Sequence, residues 1–113
     1  MKWALGLVSL FHGLIHLIGF TKAFGLAAVE QLQQPISRPL GALWLLAALL
    51  LVAAAGLLFA SSRQWLLPAA LGVVVSQAVI LTAWSDAKFG TIANLLLLAG
   101  LLLAALARDP TAA

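Results

Sequence analysis

LGALWLLAALLLVAAAGLLFA, residues 40 to 60, runs without a single charged side chain. Crossing the hydrocarbon core of a membrane takes about 20 apolar residues at about 1.5 Å rise each. Backbone polar groups inside lipid must be satisfied within the segment, so the stretch reads as a transmembrane helix. Three further stretches read the same way. One runs from Trp3 to about Phe20 and extends toward Phe24, one from Trp65 to Trp84, and one from Phe89 to Ala107, where Arg108, Asp109 and Pro110 stop it. The sequence therefore predicts an all-α fold, a single-domain integral membrane bundle over residues 1–113. Its four transmembrane helices, about 3–24, 40–60, 65–84 and 89–107, put both termini on the same side.

The composition agrees. Of the 113 residues, 65% are hydrophobic and 8% charged, where a soluble domain carries about 25% charged residues. A net charge of +3, spread along the chain, makes no nucleic-acid patch. The absence of cysteine removes disulfides, iron–sulfur clusters and thiolate metal sites. Met1-Lys2 and the apolar run behind them begin like a signal peptide. No small-x-small cleavage site precedes Lys22, however, and two histidines are foreign to such a segment, so it reads as a retained first helix.

The connections differ in length. Ser61-Ser62-Arg63 and Ser85-Asp86-Ala87-Lys88 are tight turns that make their flanking helices antiparallel neighbours, with Ser62 and Asp86 placed as N-caps. The first connection, residues 21–38, is long. Its Phe24, Ala28 and Leu32 recur at helical spacing, which predicts a short interfacial helix within 24–34 before Ser37 and Pro39 open the second span. Lys2, Arg63 and Arg108 stand on the terminal side against Lys22, Arg38 and Lys88 on the other, so the positive-inside rule is balanced. A single orientation and a dual topology with an antiparallel homo-oligomer are both compatible with that balance.

Both histidines of the chain lie in the first span. At 100° per residue, Ser9, His12, His16, Gly19 and Ala23 share one stripe, with Gly19 and Ala23 forming a small-residue pair of the kind that lets membrane helices approach closely. Counted from the non-terminal side, His16 lies about 9 Å deep, His12 about 15 Å, Gln77 about 12 Å and Asn94 about 9 Å. Ser76, Thr82 and Thr91 are at neighbouring levels. Buried polar groups cost free energy unless they are hydrogen-bonded, so clustering is expected.

Such a cluster has several uses. His12 and His16 at i, i+4 could share one metal, given a third ligand; one helix turn cannot supply both faces of a bis-histidine haem. Histidine titrates near neutrality, which suits a proton relay. The same groups could hydrogen-bond a small lipophilic ligand, or simply hold the bundle together. Lys22, Glu30, Arg38, Asp86 and Lys88 would form a rim at that end. Trp3, Trp44, Trp65 and Trp84 lie near helix ends and read as an interfacial belt. The runs Ala53-Ala54-Ala55-Gly56 and Gly100-xxx-Ala104 read as packing faces.

The blocks HGLIHLIGFTKAFG (12–25), QPISRPLGALWLLAALL (34–50) and WSDAKFGTIAN (84–94) resemble a group of uncharacterised bacterial four-helix membrane proteins. The resemblance covers most of the chain and implies a multi-pass protein of the bacterial inner membrane; it brings no activity with it. GFTKAF (19–24) is also similar to the glycine–lysine signature ending the first helix of DoxX-like proteins, some linked to redox or quinone biology. Length and balanced charge resemble the small multidrug-resistance exporters, which need a glutamate in the first helix where this chain has His12 and His16.

The expectation is a non-enzymatic membrane module, with no catalytic residue and no identified cofactor. Its polar site would be built on His12, His16, Gln77, Asn94, Ser9 and Thr91. A quinone- or haem-associated redox component, a structural subunit and a small proton-coupled transporter are the alternatives.

Overall fold

The structure is a computed structural model that describes residues 1–30 and 32–107. Helix α1 spans Lys2–Ala23 and α2 spans Arg38–Phe59. A 3-10 turn, Arg63–Trp65, runs into α3, Leu66–Thr82. A one-turn helix α4, Trp84–Ala87, precedes α5, Gly90–Leu106. The described residues contain no strand. Three spans are long and apolar enough to cross a membrane, Lys2–Ala23, Arg38–Phe59 and Arg63–Thr82, and α5 is a shorter apolar helix. The expected stop at Arg108, Asp109 and Pro110 lies outside the described residues.

Local chemistry sets the helix ends. Ser37 accepts a hydrogen bond from the Leu40 amide and Ser62 from the Gln64 amide, the two serine caps expected. Helix α1 stops in a Schellman turn: the Gly25 amide donates to Lys22 and the Leu26 amide to Thr21, with Gly25 at φ 66°. That turn corrects the interfacial helix expected within 24–34. None of the described residues there is helical, because the left-handed Gly25 turns the chain out of the α1 axis before Phe24, Ala28 and Leu32 can stack. Gln31 lies outside the described residues.

The third span also differs from expectation. Helix α3 breaks at Ala83, with φ −129° and ψ 41°, and α4 fills the intended turn. The α4 and α5 amides are therefore met by backbone: Asp86 and Ala87 donate to Ala83, Lys88 to Trp84, and Thr91 to Lys88. Asp86 is not a helix cap.

Lys2 Nζ donates to Ser61 Oγ at 2.6 Å, so the start of α1 meets the turn after α2 and the two helices run antiparallel. At that end Leu5, Leu51, Ala54, Leu58, Trp65, Ala69 and Leu97 close into one apolar cluster. At the opposite end Trp44, Val79 and Ala83 form a second, with Phe20, Ile36 and Ala87 against it. Polar side chains lie between the two. Trp44 and Trp65 are thus core residues at 3% and 1% exposure, which corrects the belt reading for both. The Trp44 indole seats directly on Gly19, where any β-carbon would collide with it. Small residues on α1 make a notch, and the largest side chain of α2 fills it. Trp3 and Trp84 remain exposed near opposite ends.

Candidate functional site

The stripe on α1 faces protein. Ser9, His12, His16 and Gly19 are buried, and Ala23 is half-buried. On α3, the buried residues Ala69, Gly72, Ser76, Val79 and Ile80 share one face at helical spacing and turn Ser76 toward α1. Helix α5 brings in Asn94 beside buried Leu97 and Gly100.

These elements converge on one hydroxyl. Ser76 Oγ lies 2.8 Å from His16 Nε2 and 3.1 Å from His12 Nε2, and it accepts from Asn94 Nδ2 at 3.0 Å. His12 Nε2 is also 2.9 Å from Asn94 Oδ1. Asn94 Nδ2 donates to Gln77 Oε1 at 3.0 Å, and Gln77 Nε2 donates to Thr91 Oγ1 at 3.1 Å. The structure thus joins His12, His16, Gln77, Asn94 and Thr91 in one network. Ser9 stands apart from it, donating to the Leu51 carbonyl across the α1–α2 interface at 2.6 Å. Ser76 is the hub that the sequence reading set only at a neighbouring depth. Its place on the small-residue stripe of α3 is the signal that finds it.

The tautomers can be assigned from the donors available. His16 Nδ1 lies 2.7 Å from the His12 backbone carbonyl, which can only accept, so Nδ1 carries the proton. His16 Nε2 then accepts from the Ser76 hydroxyl. With its single proton engaged, Ser76 can only accept from His12, so His12 is protonated on Nε2. The two rings meet edge-on, with centroids 4.5 Å apart, and Trp44 packs on His16 at 5.2 Å.

Beside the network lies a cavity of about 780 Å³, within the range of about 300–1,000 Å³ usual for small-molecule sites. Apolar residues of α1 and α5 make most of its wall, and Trp44, Leu32, His12 and His16 are among the residues that line it. The expected rim residues differ in their relation to it. Of Lys22, Glu30, Arg38, Asp86 and Lys88, only Asp86 lines this cavity. Lys22 instead donates to the Leu32 carbonyl, Arg38 sits over the Phe24 ring, Lys88 over the Phe89 ring, and Glu30 is exposed. Lys22 and Lys88 thus touch two lining residues, Leu32 and Phe89, without lining the cavity themselves.

Asp86 has a structural role that its turn position hides. Its Oδ2 accepts from the Gln33 and Gln34 amides at 2.9 and 2.8 Å. With Lys22 on the Leu32 carbonyl, it holds the α1–α2 connection against the cavity, and Leu32 is buried there. Asp86→Ala is therefore expected to speed hydrogen exchange at the Gln33 and Gln34 amides by about tenfold or more, with α3 exchange unchanged. Unchanged exchange at both amides would contradict the contact.

No protein-family model, curated protein or solved structure matches this chain.

The geometry limits what the network can do. Both Nε2 atoms point at Ser76 Oγ, and among the described residues no three His, Cys, Asp or Glu side chains stand together as metal ligands. A metal held by His12 and His16 would have to displace Ser76 and still lack a third protein donor of those types. The network also ends at Thr91, while the Leu5, Leu51, Leu58 and Leu97 cluster fills the bundle on the terminal side. No polar side chain of the network continues into that cluster.

Proposed function

We propose that this chain is an integral membrane protein whose four long helices all cross a bacterial inner membrane, and that it binds a small lipophilic ligand beside His12. The outward faces support insertion: Leu7, Phe11, Leu14 and Ile15 on α1, Leu46 and Leu49 on α2, and Leu95, Leu102 and Leu103 on α5 are all exposed. A water-soluble monomer rarely leaves apolar patches of that extent uncovered. The 44 Å long axis matches a bilayer of about 40–45 Å including headgroups. The 17 residues of α5 lie at the lower end of the range of about 17–25 for a spanning helix.

The observation that carries the ligand reading is the apolar cavity with His12 and His16 in its wall. Stabilising a bundle requires a satisfied polar network; it does not require a large cavity beside one. A proton relay is less well supported, because the His16 proton is held on a backbone carbonyl and the network stops short of the apolar cluster.

Ala93 lines the cavity on α5, so Ala93→Phe is expected to fill it without touching the network. Mass spectrometry of small molecules co-purifying with the protein should show a lipophile enriched in the wild type. The variant should lose it at nearly unchanged thermal stability. Equal retention by both proteins, or no lipophile in either, would leave the network as structural glue alone.

A further inference from the structure

The cavity's chemistry can be specified further, on the footing of the ligand reading above. We infer that its ligand is a lipophile carrying a neutral hydroxyl, and that this hydroxyl donates to His12 Nδ1.

The inference follows from hydrogen-bond accounting. The chain of donors from the His12 carbonyl through His16 and Ser76 leaves His12 with its proton on Nε2, shared between Asn94 Oδ1 and Ser76 Oγ. Nδ1 then holds a lone pair. Among the described residues no side chain or backbone group donates to it, although the residue is only 5% exposed and its ring lines the cavity. An acceptor that borders an apolar cavity without a donor costs free energy that a ligand donor removes.

Two features narrow the donor to a neutral hydroxyl. A cationic donor would be desolvated against an almost wholly apolar wall, in which the one carboxylate among the described residues, Asp86, is held by its Oδ2 on two backbone amides, so a neutral donor is favoured. An amide donor would bring a carbonyl needing its own partner in an apolar wall, whereas a hydroxyl strands only a lone pair.

The route of access points the same way. Phe11 and Ile15 on α1, Phe89 just before α5 and Ile92 on it line the cavity and are 57–75% exposed, so the outer edges of both walls are apolar. A ligand reaching His12 between α1 and α5 comes from the acyl region of the bilayer, with its hydroxyl leading.

Two sources share this chemistry, a membrane lipid with a free hydroxyl and a free phenolic lipophile. The test uses full-length protein in nanodiscs and two probe pairs: 4-nonylphenol with its methyl ether, and a diacylglycerol with its acetate ester. Binding is read by titration, and the His12 imidazole by nitrogen-15 NMR. The hydroxyl member of at least one pair is expected to bind about tenfold more tightly than its blocked partner. It should also shift the Nδ1 resonance, while Nε2 remains protonated. An advantage in the phenol pair assigns a free lipophile, and one in the glyceride pair assigns a bilayer lipid. Blocked and free members binding equally would overturn the hydroxyl inference and leave the ligand reading standing. Tighter binding of nonylamine than of nonylphenol would overturn it in favour of a cation. Failure of every probe to bind would remove the ligand reading itself. Because the comparison is made within the wild-type protein, it does not depend on a His12 variant folding.

Discussion

Trp44→Ala should lower the unfolding free energy by about 3–5 kcal/mol, the usual cost of deleting a buried aromatic side chain. Trp84→Ala should change it by no more than about 0.5 kcal/mol, as exposed substitutions usually do. The contrast comes from placement. The Trp44 indole is buried, fills the notch over Gly19 and packs on His16, whereas Trp84 is half exposed. Within a bilayer much of that loss is one of close packing, since lipid tails are nearly as apolar as the indole. Denaturant unfolding in mixed micelles, followed by circular dichroism, measures both variants. Equal effects from the two would return Trp44 to the membrane interface.

Ser76→Ala carries the second large effect, about 2–3 kcal/mol. Three side-chain contacts meet on this hydroxyl, from His12, His16 and Asn94, each worth about 1 kcal/mol net. Their losses are unequal. His12 keeps Asn94 Oδ1 and Asn94 keeps Gln77 Oε1, but His16 Nε2 loses its only partner. A double-mutant cycle between Ser76→Ala and His16→Phe should therefore show a coupling of about 1 kcal/mol or more. Additive losses would mean that Ser76 and His16 do not share the bond.

Much of the architecture is legible in the chain because local rules decide it. Runs of apolar residues longer than a membrane is thick become helices, and Ser37 and Ser62 cap two of them through their nearest amides. The α1 stripe is legible for the same reason: the 3.6-residue repeat puts Ser9, His12, His16 and Gly19 on one face, and that face is buried. Depth counting put Gln77, Asn94 and Thr91 at neighbouring levels of their helices, and hydrogen bonds join them.

The misread features each involve a partner far away in sequence. Asp86 sits at the right place for a helix cap, yet it bonds amides more than fifty positions back, because α4 had already satisfied the local ones. Trp44 lies near a helix end in one dimension, but the notch that receives it belongs to another helix. The interfacial helix fails at a single residue, where Gly25 takes a conformation that periodicity in the flanking residues does not register.

By itself, then, the sequence determined that the chain is helical, where its apolar helices run, and that one face of α1 collects both histidines. Those properties depend on residues within one or two turns of each other. Only the tertiary structure decided that Ser76 is the shared partner of both imidazoles, that Trp44 is core, and that His12 borders a cavity with one nitrogen uncommitted. The Ser76–His16 contact joins residues 60 positions apart. Such contacts depend on how far each helix is rotated about its axis and how closely its small residues let a neighbour approach, and neither quantity is encoded in any single segment.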